Sequence, residues 1–150
     1  NTLVNLNITG REVVAALEDA VKNASFGIDG QAPSTGAHPY ADGLRWDLRL
    51  NQDYGQRVVN VEVRDRNTGV WSPIDPTKTY VMVTNDYIAS GKDGYKTFGK
   101  LFNDPKYEGV DTYLPDAESF IKFMKKHPHF EAYTSSNVKF NASSDALPKK

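Results

Sequence analysis

An α+β domain, sheets flanked by helices, is the fold the sequence predicts, and three observations predict it. Val4, Leu6 and Ile8 alternate with Asn5 and Asn7 and run straight into a helix signal. Leu44, Trp46, Leu48 and Leu50 alternate with charged residues, and Val59, Val61 and Val63 follow on a return strand. Stretches beginning near Gly10 and at Asp116 carry apolar side chains at helical spacing. Period-two runs mark half-buried strands, and runs near period 3.6 mark helices packed by one face.

Taken in order, the first strand ends at Thr9, and Thr9 with Glu12 forms a capping box that starts a helix at Gly10 or Arg11. Val13, Leu17, Ala20, Val21 and Ala24 share one stripe of it, and Glu18, Asp19 and Lys22 lie elsewhere around the helix. A strand at the first residues with no lead-in reads as the continuation of something upstream. Residues 25–43 are rich in Gly, Pro, Ser and Ala, a long connection of the kind that carries function or moves. His38 and Tyr40 within it are an aromatic pair with two readings. They face a ligand, or His38 is solvated while Tyr40 covers the core edge.

The strand from Leu44 to Leu50 turns through residues 51–55 and pairs antiparallel with the strand around Val59 to Val63. Asn67-Thr68-Gly69 is another turn, so the sheet continues as a meander into Val70 and Trp71. Trp46 and Trp71 sit in strand patterns and are assigned to the core. The prolines of residues 73–76 make a stiff connector into Tyr80-Val81-Met82-Val83, a run fit for a buried strand. Beyond it, Thr97 to Phe102 is a short helical turn, residues 106–113 are a loop or short strand, and Asp116 to Lys126 is the second clear helix. Its early acids and late lysines suit the helix dipole, and Pro128 stops it. Val138-Lys139-Phe140 reads as a last strand before a polar tail.

Composition narrows the function. The 150 residues are enough for one domain with a real core, and 39% hydrophobic with 25% charged residues is globular. A net charge of −1 with no basic stripe argues against a nucleic-acid partner, and no apolar run is long enough for a membrane span. With no cysteine, disulfides, thiolate metal sites and cysteine nucleophiles are excluded. His127 and His129 at a helix end have no third ligand nearby, so they read as a solvated terminus and no metal site is assigned.

The chemistry concentrates in residues 84–95, where the strand ends in a polar turn with two aspartates, two tyrosines and two glycines. One reading is a strand-to-helix connection whose glycines serve backbone geometry. The other is a binding site. No catalytic residue is assigned, because no histidine lies in a triad motif, the aspartate pair is a weak signal, and Gly91-Lys92-Asp93-Gly94 is no phosphate-binding P-loop. Tyr87 offers a flat face for a base, and Asp93 can accept hydrogen bonds from two adjacent sugar hydroxyls.

The order of five motifs carries a resemblance. They are Asn1 to Val4 leading to Ile8-Thr9-Gly10, then Gly36-Ala37-His38-Pro39, the strand from Leu44, Asp75 to Tyr80, and Asn85-Asp86-Tyr87 with Gly91-Lys92-Asp93-Gly94-Tyr95. Over residues 1–133 this resembles the C-terminal domain of the 5′-nucleotidase, UDP-sugar hydrolase and NAD nucleotidase family, leaving residues 134–150 as the tail. The resemblance implies a layered α/β/β/α arrangement of antiparallel and mixed sheets. It implies a substrate-binding domain that pairs with an N-terminal metallophosphoesterase domain holding two divalent metal ions. In that family two phenylalanines sandwich the base and an aspartate holds the ribose; by position Tyr87 matches the second phenylalanine and Asp93 the aspartate.

Asn1 matches the last residue of the family's Phe-Gly-Asn segment, so the first plate falls before it. Lys92 stands where the family has a second glycine. The substrate-binding set implied is Tyr87, Asp93, Asn85, Gly91 and Asn1. The expected ligand is a nucleotide, whether a nucleoside monophosphate, a nucleotide sugar or NAD, and the expected location is periplasmic or extracellular. The chain alone is expected to be catalytically silent, with no cofactor of its own. A non-catalytic ligand-binding or interaction module that keeps the fold is the alternative.

Overall fold

A computed structural model describes residues 1–107, 109–132 and 134–140 of the chain, with Phe140 described by its backbone. The segment 141–150, assigned to the tail, and Tyr133 lie outside the described residues.

Strand β1 (Thr2–Thr9) buries Val4, Leu6 and Ile8 on one face. Thr9 then ends the strand and caps helix α1 (Gly10–Phe26). Its Oγ1 accepts the N–H of Glu12 at 3.4 Å, and the Glu12 carboxylate accepts the N–H of Thr9 at 2.7 Å. The reciprocal bonds satisfy donors that the first helical turn leaves open.

β2 (Leu44–Leu48), β3 (Val58–Arg64), β4 (Trp71–Pro73) and β7 (Val138–Phe140) form one sheet in the order β4-β3-β2-β7. β7 runs parallel to β2, and the other pairs are antiparallel. β5 (Thr79–Asn85) and β6 (Val110–Pro115) flank β1 in a second, antiparallel sheet. Helix α1 touches β1 of one sheet and β3 of the other. Its Val13, Leu17, Ala20 and Val21 join Trp46, Leu48, Val58 and Val61 in one core. Short helices α2 (Asp86–Ala89) and α3 (Lys96–Phe102) follow β5, and α4 (Asp116–Lys126) follows β6. The fold is α+β, as the alternating strands and capped helix predict.

Five local expectations are corrected. Tyr80 to Val83 is not a buried strand: among the described residues β5 is a sheet edge paired to β1 alone, and Val81 and Val83 are 71% and 57% exposed. Trp71 is not core either. It lies half-buried on edge strand β4, with the guanidinium of Arg45 4.5 Å and that of Arg64 5.7 Å from its ring centre, whereas Trp46 is buried. The inward residues of β3 are Val58 and Val61 rather than every second valine from Val59. A bulge opposite Trp46, with Asn60 at φ +53°, shifts the alternation there. β2 stops at Leu48, although Leu50 stays buried beyond it. Finally, Glu18 and Asp19 are among the buried residues of α1, because both accept hydrogen bonds from distant loops.

Candidate functional site

Of the five residues assigned to substrate binding, Asn85 and Asn1 lie at one end of the β5-β1-β6 sheet, where the Asn1 carbonyl accepts the Asp116 N–H at 3.0 Å, and Tyr87, Gly91 and Asp93 follow on α2 and the turn after it. Leu3 pairs with Asn85, so the start of β1 lies beside the end of β5. The Thr2 N–H donates to Asp86 Oδ1 at 2.9 Å, which sets Asn1 next to the first turn of α2. Asn85 is the N-cap of that helix, its Oδ1 accepting the Ile88 N–H at 2.8 Å. With this oxygen engaged, its amide NH₂ is the part suited to a ligand.

Tyr87 stands on α2 with 44% of its surface exposed. Its hydroxyl donates to Asp93 Oδ1 at 3.3 Å, so ring and carboxylate belong to one surface. Between them the chain turns sharply. Gly91, Asp93 and Gly94 all adopt left-handed conformations, at φ +87°, +51° and +84°. Gly91 has a second reason to be glycine: a Cβ there would stand 3.1 Å from the Cα of Gly99 on α3. Lys92 has helical backbone angles, so the lysine at the family's second glycine position meets no strain.

Three residues to which the sequence reading assigned no role hold this turn. The buried Asn23 side chain of α1 donates to the Asp93 carbonyl at 2.9 Å. Tyr95, buried and stacked on Phe98 with ring centres 5.4 Å apart, donates to the Ala37 carbonyl at 3.0 Å. Burial, and then the charge of Asp93, push its phenol up to about 12. Asp19 accepts both the N–H and the hydroxyl of Thr97 at 2.7 Å and so fixes the start of α3. The one sequence signal was a polar Asn23 and Asp19 close to an apolar stripe.

His38 and Tyr40 meet edge to face, ring centres 4.9 Å apart, in a shallow pocket of about 300 Å³ floored by Leu48 and Leu50. Neither Tyr87 nor Asp93 lines it. Burial lowers the His38 pKa, so the imidazole is neutral at physiological pH. At the end of α4, the His127 ring lies 4.5 Å from that of Phe123. Among the described residues, no three His, Cys, Asp or Glu side chains group as a metal site.

What the arrangement can do is bind. An open aromatic face with a carboxylate beside it suits a ring joined to a diol.

The family model described as 5′-nucleotidase, C-terminal domain, matches residues 1–100. A NAD 5′-nucleotidase of Haemophilus influenzae is 64% identical over 151 aligned residues, covering 100% of this chain and 24% of that protein. A probable 5′-nucleotidase of Treponema pallidum is 47% identical, covering 93% of this chain and 22% of its own length. The solved structure of Haemophilus influenzae NAD nucleotidase superposes with a TM-score of 0.83 at 62% identity, over 95% of this chain and 24% of that one. The chain thus spans about a quarter of the length of these relatives. With two thirds of its residues inside the family model and its whole length aligned to a close relative, the chain belongs to the 5′-nucleotidase C-terminal domain family.

Proposed function

We propose that this chain is the substrate-binding domain of a 5′-nucleotidase-like phosphohydrolase. It holds the base and ribose of a nucleotide while a metallophosphoesterase domain, N-terminal to it in the same polypeptide, hydrolyses the phosphate ester with two divalent metal ions. The observation that carries the reading is the pairing of Tyr87 and Asp93: a tyrosine 44% exposed, its hydroxyl 3.3 Å from the carboxylate, on one surface. Tyr87 stacks on the base. Asp93 accepts hydrogen bonds from the two ribose hydroxyls, and Asn85, Gly91 and Asn1 complete the rim. The second aromatic plate, the metals and the bond-breaking step belong to the rest of the polypeptide, so the chain alone orients substrate and does not turn it over.

NAD heads the substrate list, ahead of nucleoside monophosphates and nucleotide sugars, because the relative that is 64% identical is a NAD 5′-nucleotidase. A periplasmic or extracellular location goes with this role. Titrating AMP, UMP and NAD against the chain and against Asp93→Ala tests the reading and ranks the substrates. The expected result is nucleotide binding that the substitution weakens about tenfold, the loss of a charge-assisted hydrogen bond. Unchanged affinity in Asp93→Ala would remove the ribose role.

A further inference from the structure

Two properties of Asp93 bear on how its carboxylate is aimed. Its backbone is left-handed, at φ +51° and ψ +27°. And among the described residues the hydrogen bond to its carboxylate is the long one, 3.3 Å, from the partly exposed Tyr87 hydroxyl. An aspartate carboxylate sits one methylene from Cα, so its aim follows the backbone angles when its side-chain partners are weak. Whatever holds the Asp93 peptide in place therefore aims the carboxylate.

Asn23 is that support. It lies in the last turns of α1, 70 residues from Asp93 in sequence, and is 5% exposed. Its Nδ2 donates to the Asp93 carbonyl at 2.9 Å. Its Cβ walls the next residue: a Cβ on Gly94 would stand 3.0 Å from it. Its own carbonyl accepts the N–H groups of Gly27 at 3.3 Å and Ser34 at 3.1 Å, which anchors the asparagine from behind. The turn thus leans on a rigid helix through one buried amide. From the other side, Tyr95 ties it to Ala37.

We infer that Asn23 is a positioning residue that fixes the Asp93 turn and so sets the ribose-dependent part of nucleoside affinity, without touching the ligand itself. This rests on the nucleoside reading of Tyr87 and Asp93 and assigns it a further residue. A support of this kind has a signature that loss of stability does not. Removing it weakens ligands that use Asp93 and spares ligands that use only the aromatic face.

The test compares adenosine with 2′,3′-dideoxyadenosine on the full 150-residue chain by calorimetry or ligand-observed NMR. Asn23→Ala keeps the Cβ beside Gly94 and deletes the donor. The expected result is adenosine binding weakened about fivefold to tenfold, the worth of one lost hydrogen bond. Dideoxyadenosine binding should change less than about twofold, and Asn23→Ala should add no further loss in an Asp93→Ala background, as for coupled groups. Should Asn23→Ala fold poorly, Asn23→Leu keeps the bulk beside Gly94 without the donor and should give the same ribose-selective loss. Equal weakening of both ligands, or of neither, in the folded variant overturns the positioning role and leaves the nucleoside reading intact. A wild-type chain that does not distinguish the two ligands, or binds neither, overturns the ribose reading and the inference together.

Discussion

The Glu18 carboxylate of α1 accepts the backbone N–H of Val58 at 2.7 Å, across 40 residues of sequence. The same carboxylate accepts the N–H groups of Arg57 at 2.7 Å and Gly55 at 3.0 Å, and the residue is 1% exposed. One buried side chain thus serves as the anchor for the entry into β3. Glu18→Ala would strand the buried Val58 donor, at about 1–3 kcal/mol, and unpair the part-buried donors of Arg57 and Gly55, which water can reach at smaller cost. The expected loss is about 2 kcal/mol or more in chemical denaturation, with an unchanged denaturant slope. A loss under about 1 kcal/mol would mean that water reaches the site and the carboxylate is dispensable.

That anchor also marks where sequence reading stops. The cap of Thr9 and Glu12 and the strand from Val4 to Ile8 are encoded within a few residues, so spacing alone reveals them. The pairing of Tyr87 with Asp93 is close in sequence but needs the order of motifs along the chain to favour a binding reading. Glu18 looks like a solvated helix residue until the loop around Gly55 and Val58 folds over it. Asn23 shows in the sequence only as a polar residue close to an apolar stripe, because its partner Asp93 is 70 residues away. The edge position of β5 depends on which strands neighbour it, and the β3 bulge on a register set by β2. Tyr87 and Asp93 are neighbours in the sequence; the framework that holds them is non-local.

Tyr95 gives the chain a specific alkaline limit. Its phenol is pushed up to about 12 in the fold, chiefly by burial, against about 10 in an unfolded chain. A raised pKa favours the protonated, folded form: the contribution is fully present below pH ~10 and is lost as pH rises toward ~12. Tyr54, raised by burial and by its hydrogen bond to Asp19, adds in the same direction. Urea midpoints should therefore hold steady from about pH 7 to 9 and fall across pH ~10 to 12. Tyr95→Phe should cost about 1 kcal/mol at neutral pH through the lost bond to Ala37 and make that fall shallower. An identical alkaline profile in the variant would assign the limit to other groups.

Gly91 is constrained twice, by φ +87° and by the Gly99 backbone, whose Cα a new Cβ would approach to 3.1 Å. Gly91→Ala should destabilise the chain by about 1–2 kcal/mol, the cost of a left-handed alanine with little room to relax. It should also displace the Asp93 turn that follows. Thermal melts report the first effect and NMR shifts of Asp93 and Gly94 the second. Wild-type stability would show that the turn rearranges freely and is no rigid platform.

The phenol of Tyr87 and its ring have separable roles. Tyr87→Phe deletes the 3.3 Å bond to Asp93, an exposed interaction, so stability should change by no more than about 0.5 kcal/mol. The flat face survives and the carboxylate is freed for the ribose, so adenosine affinity should stay within about threefold of wild type or improve, a shift of under ~0.7 kcal/mol. Tyr87→Ala removes the face and should cost about 1–3 kcal/mol of binding, the usual worth of stacking a base on an aromatic side chain. Because Tyr87 is already 44% exposed, that substitution should leave the fold in place. Calorimetry with adenosine on both variants, alongside far-UV circular dichroism, separates the outcomes. Equal losses in Phe and Ala would make the hydroxyl the contact and sink the stacking role; no loss in Ala would show that the base lies elsewhere.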